Sequence, residues 1–161
     1  MEQFQETIEK ANQKLKIADH MIFMTYPLVR DNRLLLSIIQ NIFLALANAV
    51  SSILYYERLF KRIPAFNDNF DSKFTIFRTK CVDRLNIDKK YIKLISEIKD
   101  IIVEHRKSPV EFERNNKFVI CSSTYRMRTI SIEEIKKYIT ETRMFIQEAN
   151  NIVSKNEGIF R

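Results

Sequence analysis

The chain has 161 residues, 45% of them hydrophobic and 29% charged, with one Gly, three Pro, two Cys and a formal net charge of +7. Its single glycine, Gly158, excludes Gly-rich phosphate loops, dinucleotide fingerprints and nucleophile elbows, because each needs glycine where the backbone turns sharply or approaches a ligand. An ordinary apolar content without low-complexity tracts excludes disordered, collagen-like and disulfide-framework classes and predicts one globular domain over residues 1–161.

The first helix is predicted from about Glu2 to Tyr26, where Phe4, Ile8, Ala11, Leu15, Ala18 and Ile22 alternate at intervals of four and three. This heptad-like seam suits an internal core or a homodimer contact. Pro27 is expected to end the helix, with Asp31 or Asn32 capping the next. MEQFQETIEK has no basic segment leading into an apolar run, so a cytoplasmic protein is expected, with Cys81 and Cys121 as free structural thiols.

The second helix is predicted from Asn32 to Ile63, closed by Pro64. Within it, Leu34 to Tyr56 carries no formal charge and is long enough to span a bilayer. Yet Ser37, Asn41, Asn48 and Ser52 recur on one helical side, and amides in hydrocarbon are costly without partners. The expectation is a central helix enclosed by other helices, with no membrane partner.

A third helix is predicted to present Phe70, Phe74, Phe77, Cys81 and Leu85 on one face and Lys73, Arg78, Lys80 and Arg84 on the other. Asn86 or Asp88 starts a fourth, with the stripe Tyr91, Leu94, Ile95, Ile98, Ile101 and Ile102, ending near Lys107. Then the period changes. Val110, Phe112, Phe118 and Ile120 flank Asn115 and Asn116, the pattern of a β-hairpin, and Tyr125, Met127 and Thr129 alternate with Arg126 and Arg128 as a further short strand. Ser131 and Glu134 form a capping box for a fifth helix with apolar positions Ile132, Ile135, Ile139, Thr142, Ile146, Ala149 and Val153. The expected fold is all-α: an antiparallel bundle of about five helices with a long second helix and a small β-hairpin between helices four and five.

Only two histidines occur, His20 and His105, and no metal-ligand spacing is present, so no catalytic residue, metal or cofactor is assigned. Charge is more informative. The positive excess concentrates between Glu57 and Ser131, with Phe60, Phe77, Tyr91 and Tyr125 interspersed. Arg58, Lys61, Arg62, Arg78, Arg84, Arg106, Lys107, Arg114, Arg126 and Arg128 are therefore the candidate nucleic-acid-binding residues, able to neutralise phosphates while the rings stack on bases. A solvated, lysine-rich surface is the plain alternative.

The helical order, the basic turn at the end of the fourth helix and the closing helix IEEIKKYITETRMFIQEANNIV resemble HEPN-type bundles of prokaryotes. The resemblance implies an RNA-directed role. Catalytic members of that group carry an Arg four to six residues before a His, and neither His20 nor His105 has one at that distance. EHRKSPVEFERNNKFVICS and KNEGIF are also similar to small uncharacterised archaeal proteins. The resulting expectation is a non-enzymatic interaction module contacting RNA or a nucleoprotein partner, with a homodimer contact from the N-terminal seam. The alternatives are a protein–protein or toxin–antitoxin-like regulatory module and a degenerate ribonuclease in which His105 works with Arg106 or Arg114.

Overall fold

The computed structural model describes residues 2–107, 110–114, 117–121 and 127–155, with side chains given for 2–31, 33–106 and 129–155. The fold is all-α in class. It comprises α1 (Gln3–His20), a π-helical stretch Met21–Thr25, α2 (Tyr26–Val29), α3 (Asn32–Leu59), α4 (Phe70–Ile76), a second π-helical stretch Phe77–Cys81, α5 (Lys90–Lys107), strands β1 (Val110–Arg114), β2 (Lys117–Cys121) and β3 (Met127–Ser131), and α6 (Ile132–Ser154).

The N-terminal seam is used inside the chain. Phe4, Ile8, Ala11, Leu15, Ala18 and Ile22 are all buried, and α1 lies along α3 and α6. The Ser52 hydroxyl donates to the Phe4 carbonyl at 2.7 Å, and Asn41 reaches the Met21 sulfur at 3.8 Å. The start of α1 thus faces the end of α3, and the two helices run past each other in opposite directions. The apolar side of the seam is thus part of the internal core.

Two amides of α3 are satisfied locally. Asn41 and Asn48 each donate to the carbonyl four residues earlier, those of Ser37 and Leu44, at 2.8 Å. These bonds let the helix carry amides without leaving them unpaired among apolar neighbours. Among the described residues, α3 is the one helix long and apolar enough to cross a membrane, and half of that apolar window is buried inside the fold.

Three boundaries differ from the sequence expectation. Pro27 does not stop the first helix: the chain stays helical through it to Val29, with Tyr26 N–H donating to the Met21 carbonyl in a π turn. The wider turn accommodates a residue that lacks an N–H and crowds the preceding turn. Arg30, at φ 51°, ends the segment instead. The long helix stops at Leu59 rather than Ile63, because Lys61 adopts φ 57° and the pair Arg62 N–H to Glu57 O (3.0 Å) with Lys61 N–H to Arg58 O (2.9 Å) forms a Schellman cap. The third predicted helix divides into α4 and the second π stretch. Phe74, Phe77 and Cys81 are buried as expected, but Lys73 is only 14% exposed and pairs with Asp68 instead of standing on a solvated face.

Helix α5 starts at Lys90, whose N–H is accepted by the Asp88 carboxylate at 2.9 Å, and all six residues of its predicted stripe are buried. β1 pairs antiparallel with β2 and β2 with β3, with Phe112 opposite Val119 and Val119 opposite Thr129. In β3 the predicted alternation is inverted where side chains are described: Thr129 is exposed and Ile130 buried. Asn115, Asn116, Tyr125 and Arg126 lie outside the described residues, as does the side chain of Cys121. Ser131 caps α6 by accepting from Glu134 N–H at 3.1 Å. Phe145 and Ile152, which the predicted stripe of that helix omits, are also buried.

Candidate nucleic-acid interface

Glu57 lies at the end of α3, four residues after Ile53 and seven after Val50, so helical geometry turns it inward with the apolar face. Its side chain is fully buried. A lone carboxylate there would be prohibitively desolvated, and two arginines answer it. Arg84 donates to Glu57 Oε2 at 2.6 Å, and Arg62 stands 3.5 Å from the same oxygen. Oε1 has no hydrogen-bond partner among the described residues.

Both arginines are placed by helix ends. Arg62 is the residue that closes the Schellman cap of α3. Arg84 sits in the turn that follows the second π stretch, where Asn86 at φ 54° and the bonds Ile87 N–H to Val82 O (2.9 Å) and Asn86 N–H to Asp83 O (3.3 Å) repeat the same motif. Asparagine tolerates the left-handed conformation better than most residues, which explains its use in a chain with one glycine. The carboxylate thus ties together two turns distant in sequence. Each arginine side chain remains 40% exposed. A guanidinium has five donors in a planar fork, and a single shared carboxylate leaves most of them for an oxyanion arriving from solvent.

Aromatic rings frame the pair. Arg62 lies over the Phe60 ring at 4.9 Å, and Phe60 packs against Tyr56 at 5.1 Å. Arg58 lies over Phe66 at 5.4 Å, and Phe66 contacts Tyr55 at 5.7 Å. Phe60 and Phe66 are both partly exposed, and Lys61 is exposed between them in sequence. Rings backed by the core and faced by arginine hold the cations in fixed positions.

Four of the ten predicted cations, Arg58, Lys61, Arg62 and Arg84, therefore fall around the end of α3. Arg78 is held instead over Phe74 at 5.1 Å. Arg106 is exposed at the far end of α5, about 24 Å along the helix from Lys90. The side chains of Lys107, Arg114, Arg126 and Arg128 lie outside the described residues. Glu57 is the residue that the charge-based reading missed, although its spacing from Val50 and Ile53 marks it as inward-facing.

Cys81 is buried beside this group. Burial above all, and then the Glu57 carboxylate, push its thiol up to about 11, against a smaller opposing effect of Arg84. The folded chain therefore favours the neutral thiol over an interval in which the unfolded chain ionises, and this contribution to stability is lost as pH rises from about 9 to 11. In a Cys121→Ser background, Cys81 is expected to resist alkylation at pH 8 until denaturant unfolds the chain. Its Cys81→Ala derivative should show a flatter decline of the urea midpoint above pH 9. Rapid labelling of the folded protein would contradict the buried neutral thiol.

A groove of about 280 Å³ between α1 and α6 holds the Asp19–Arg143 ion pair at 2.7 Å with Asn12, Gln147 and Asn150 around it. It contains no histidine or cysteine. His20 is exposed at the end of α1, and His105 is half-buried near the end of α5. Among the described residues no group of His, Cys, Asp and Glu is arranged to hold a metal ion. No known family model matches this chain, and no curated protein sequence matches it significantly.

Proposed function

We propose that this protein is a non-enzymatic interaction module of the cytoplasm that binds RNA through the end of α3, on a scaffold that is an antiparallel helical bundle with a hairpin-bearing sheet before its last helix. The observation that carries this reading is the Glu57 carboxylate holding Arg62 and Arg84 together, both half-exposed. Arg62 and Arg84 contact backbone phosphates, Arg58 and Lys61 extend the contact, and Phe60 and Phe66 hold Arg62 and Arg58 in place. Such a site recognises backbone charge more than sequence, because nothing in it reads base edges in a fixed register. The regional charge excess and the resemblance to HEPN-type bundles both support RNA as the ligand class.

Binding of a fluorescent single-stranded RNA oligonucleotide, followed by anisotropy, tests the reading. With four phosphate contacts the affinity is expected to fall roughly 50-fold between about 50 and 200 mM salt. No binding even at the lower salt would sink the proposal. Recovery of the chain with a stoichiometric protein partner and no RNA affinity would assign the surface to a protein–protein module instead.

A further inference from the structure

The π-helical stretch Met21–Thr25 and α2 lie by the first part of α3, toward the opposite end of that helix from the arginine pair. That helix has 28 residues, about 42 Å. One side of this tip is core: Ile22 and Tyr26 are buried. The other side is apolar as well, yet uncovered. Leu28 is 87% exposed, Met24 60%, Val29 59% and Phe23 48%. From Met21 to Val29 no residue is charged, and the run is bounded by His20 and Arg30. Solvent-facing side chains of this size clustered in one short segment are not the scattered apolar residues of an ordinary surface.

We infer that this tip is a docking surface for an anionic lipid membrane, entering the headgroup boundary while the rest of the fold stays in water. Charge points to this occupant. Arg30 and Arg33 follow the apolar run directly, Lys136 of α6 reaches over the Phe23 ring at 5.4 Å, and the only acid between His20 and Leu36 is Asp31, which is paired with Arg33 at 2.9 Å. A fringe of cations around exposed Phe, Met and Leu complements acidic headgroups above apolar chains, as in interfacial helices. Area points the same way. Four side chains on one short segment cannot supply the roughly 800 Å² per partner of a standard protein interface. Lipid requires no matching surface, and each side chain gains on its own by leaving water. The contact is peripheral, because α3 remains packed against α1, α5 and α6.

The test is co-sedimentation of the full chain with vesicles of phosphatidylcholine alone and of phosphatidylcholine with phosphatidylglycerol. The wild type is expected to bind the anionic vesicles and to bind the neutral ones at least tenfold more weakly. Leu28→Asp is expected to lower anionic-vesicle affinity roughly tenfold, and Met24→Asp with Leu28→Asp roughly a hundredfold, with unchanged Tm because both positions face solvent. Arg62→Ala, at the far end, should bind vesicles like the wild type, so failure of the RNA reading leaves this one standing. Equal binding by wild type and Leu28→Asp, no binding to anionic vesicles, or loss of vesicle binding in Arg62→Ala would overturn the proposal. So would a wild-type dimer in sedimentation velocity that Leu28→Asp converts to monomer, since the tip would then be a self-association surface.

Discussion

Truncation of Phe145 to alanine is expected to lower the unfolding free energy by about 3–5 kcal/mol, the range for removing a large aromatic side chain from a packed core. Phe145 is fully buried on α6 and touches Phe77 at 5.9 Å with the rings near perpendicular, and Tyr91 at 5.1 Å. Phe77 belongs to the second π stretch and Tyr91 to α5, so one ring joins three elements. Truncation removes its burial, two ring contacts and the support of both neighbours. Met144→Ala, adjacent in sequence but 43% exposed, is expected to change stability by under about 0.5 kcal/mol. Urea unfolding of the two variants checks the contrast. A loss below about 1 kcal/mol for Phe145→Ala would mean that these elements do not share one core.

The second large effect concerns Glu57. Arg84→Ala removes the short 2.6 Å partner and leaves a fully buried carboxylate facing Arg62 at 3.5 Å. Breaking a wholly buried pair by deleting one member costs about 3–5 kcal/mol. Arg84 is 40% exposed, so water enters the vacated space and takes up part of that loss. The expected destabilisation is therefore about 2–3 kcal/mol at neutral pH. Glu57→Leu in the same chain should restore most of it, since the desolvated charge is then absent and an apolar side chain fills its place. Urea unfolding of the single and double variants gives the coupling directly. Additive losses would show that the two residues do not act as a pair.

Much of the fold is legible because burial on one side of a helix imposes a period. The seam of α1 and the stripes of α5 and α6 obey it, and their predicted positions from Phe4 to Val153 are buried with few exceptions. The path of the chain at Pro27 is not legible by the same rule. Proline terminates most helices, and only the π turn before it, fixed by the packing of Ile22 and Tyr26, lets this one continue. The site was half legible. Local composition identified arginines near the end of α3, but a charge normally signals exposure, so nothing in it singled out Glu57, the buried residue that brings Arg62 and Arg84 together. Conversely, no periodic pattern singles out Leu28 and Met24, and the fold shows both of them largely exposed.

The central claim is that the arginines held by Glu57 contact phosphate, and the salt dependence of RNA binding measures this most directly. A log–log plot of affinity against salt is expected to have a slope near −3 for the wild type. Arg62→Ala should reduce its magnitude by about 0.7, whereas Lys137→Ala on α6 should leave it unchanged. An Arg62→Ala slope and affinity equal to those of the wild type would contradict the assignment of this surface to RNA.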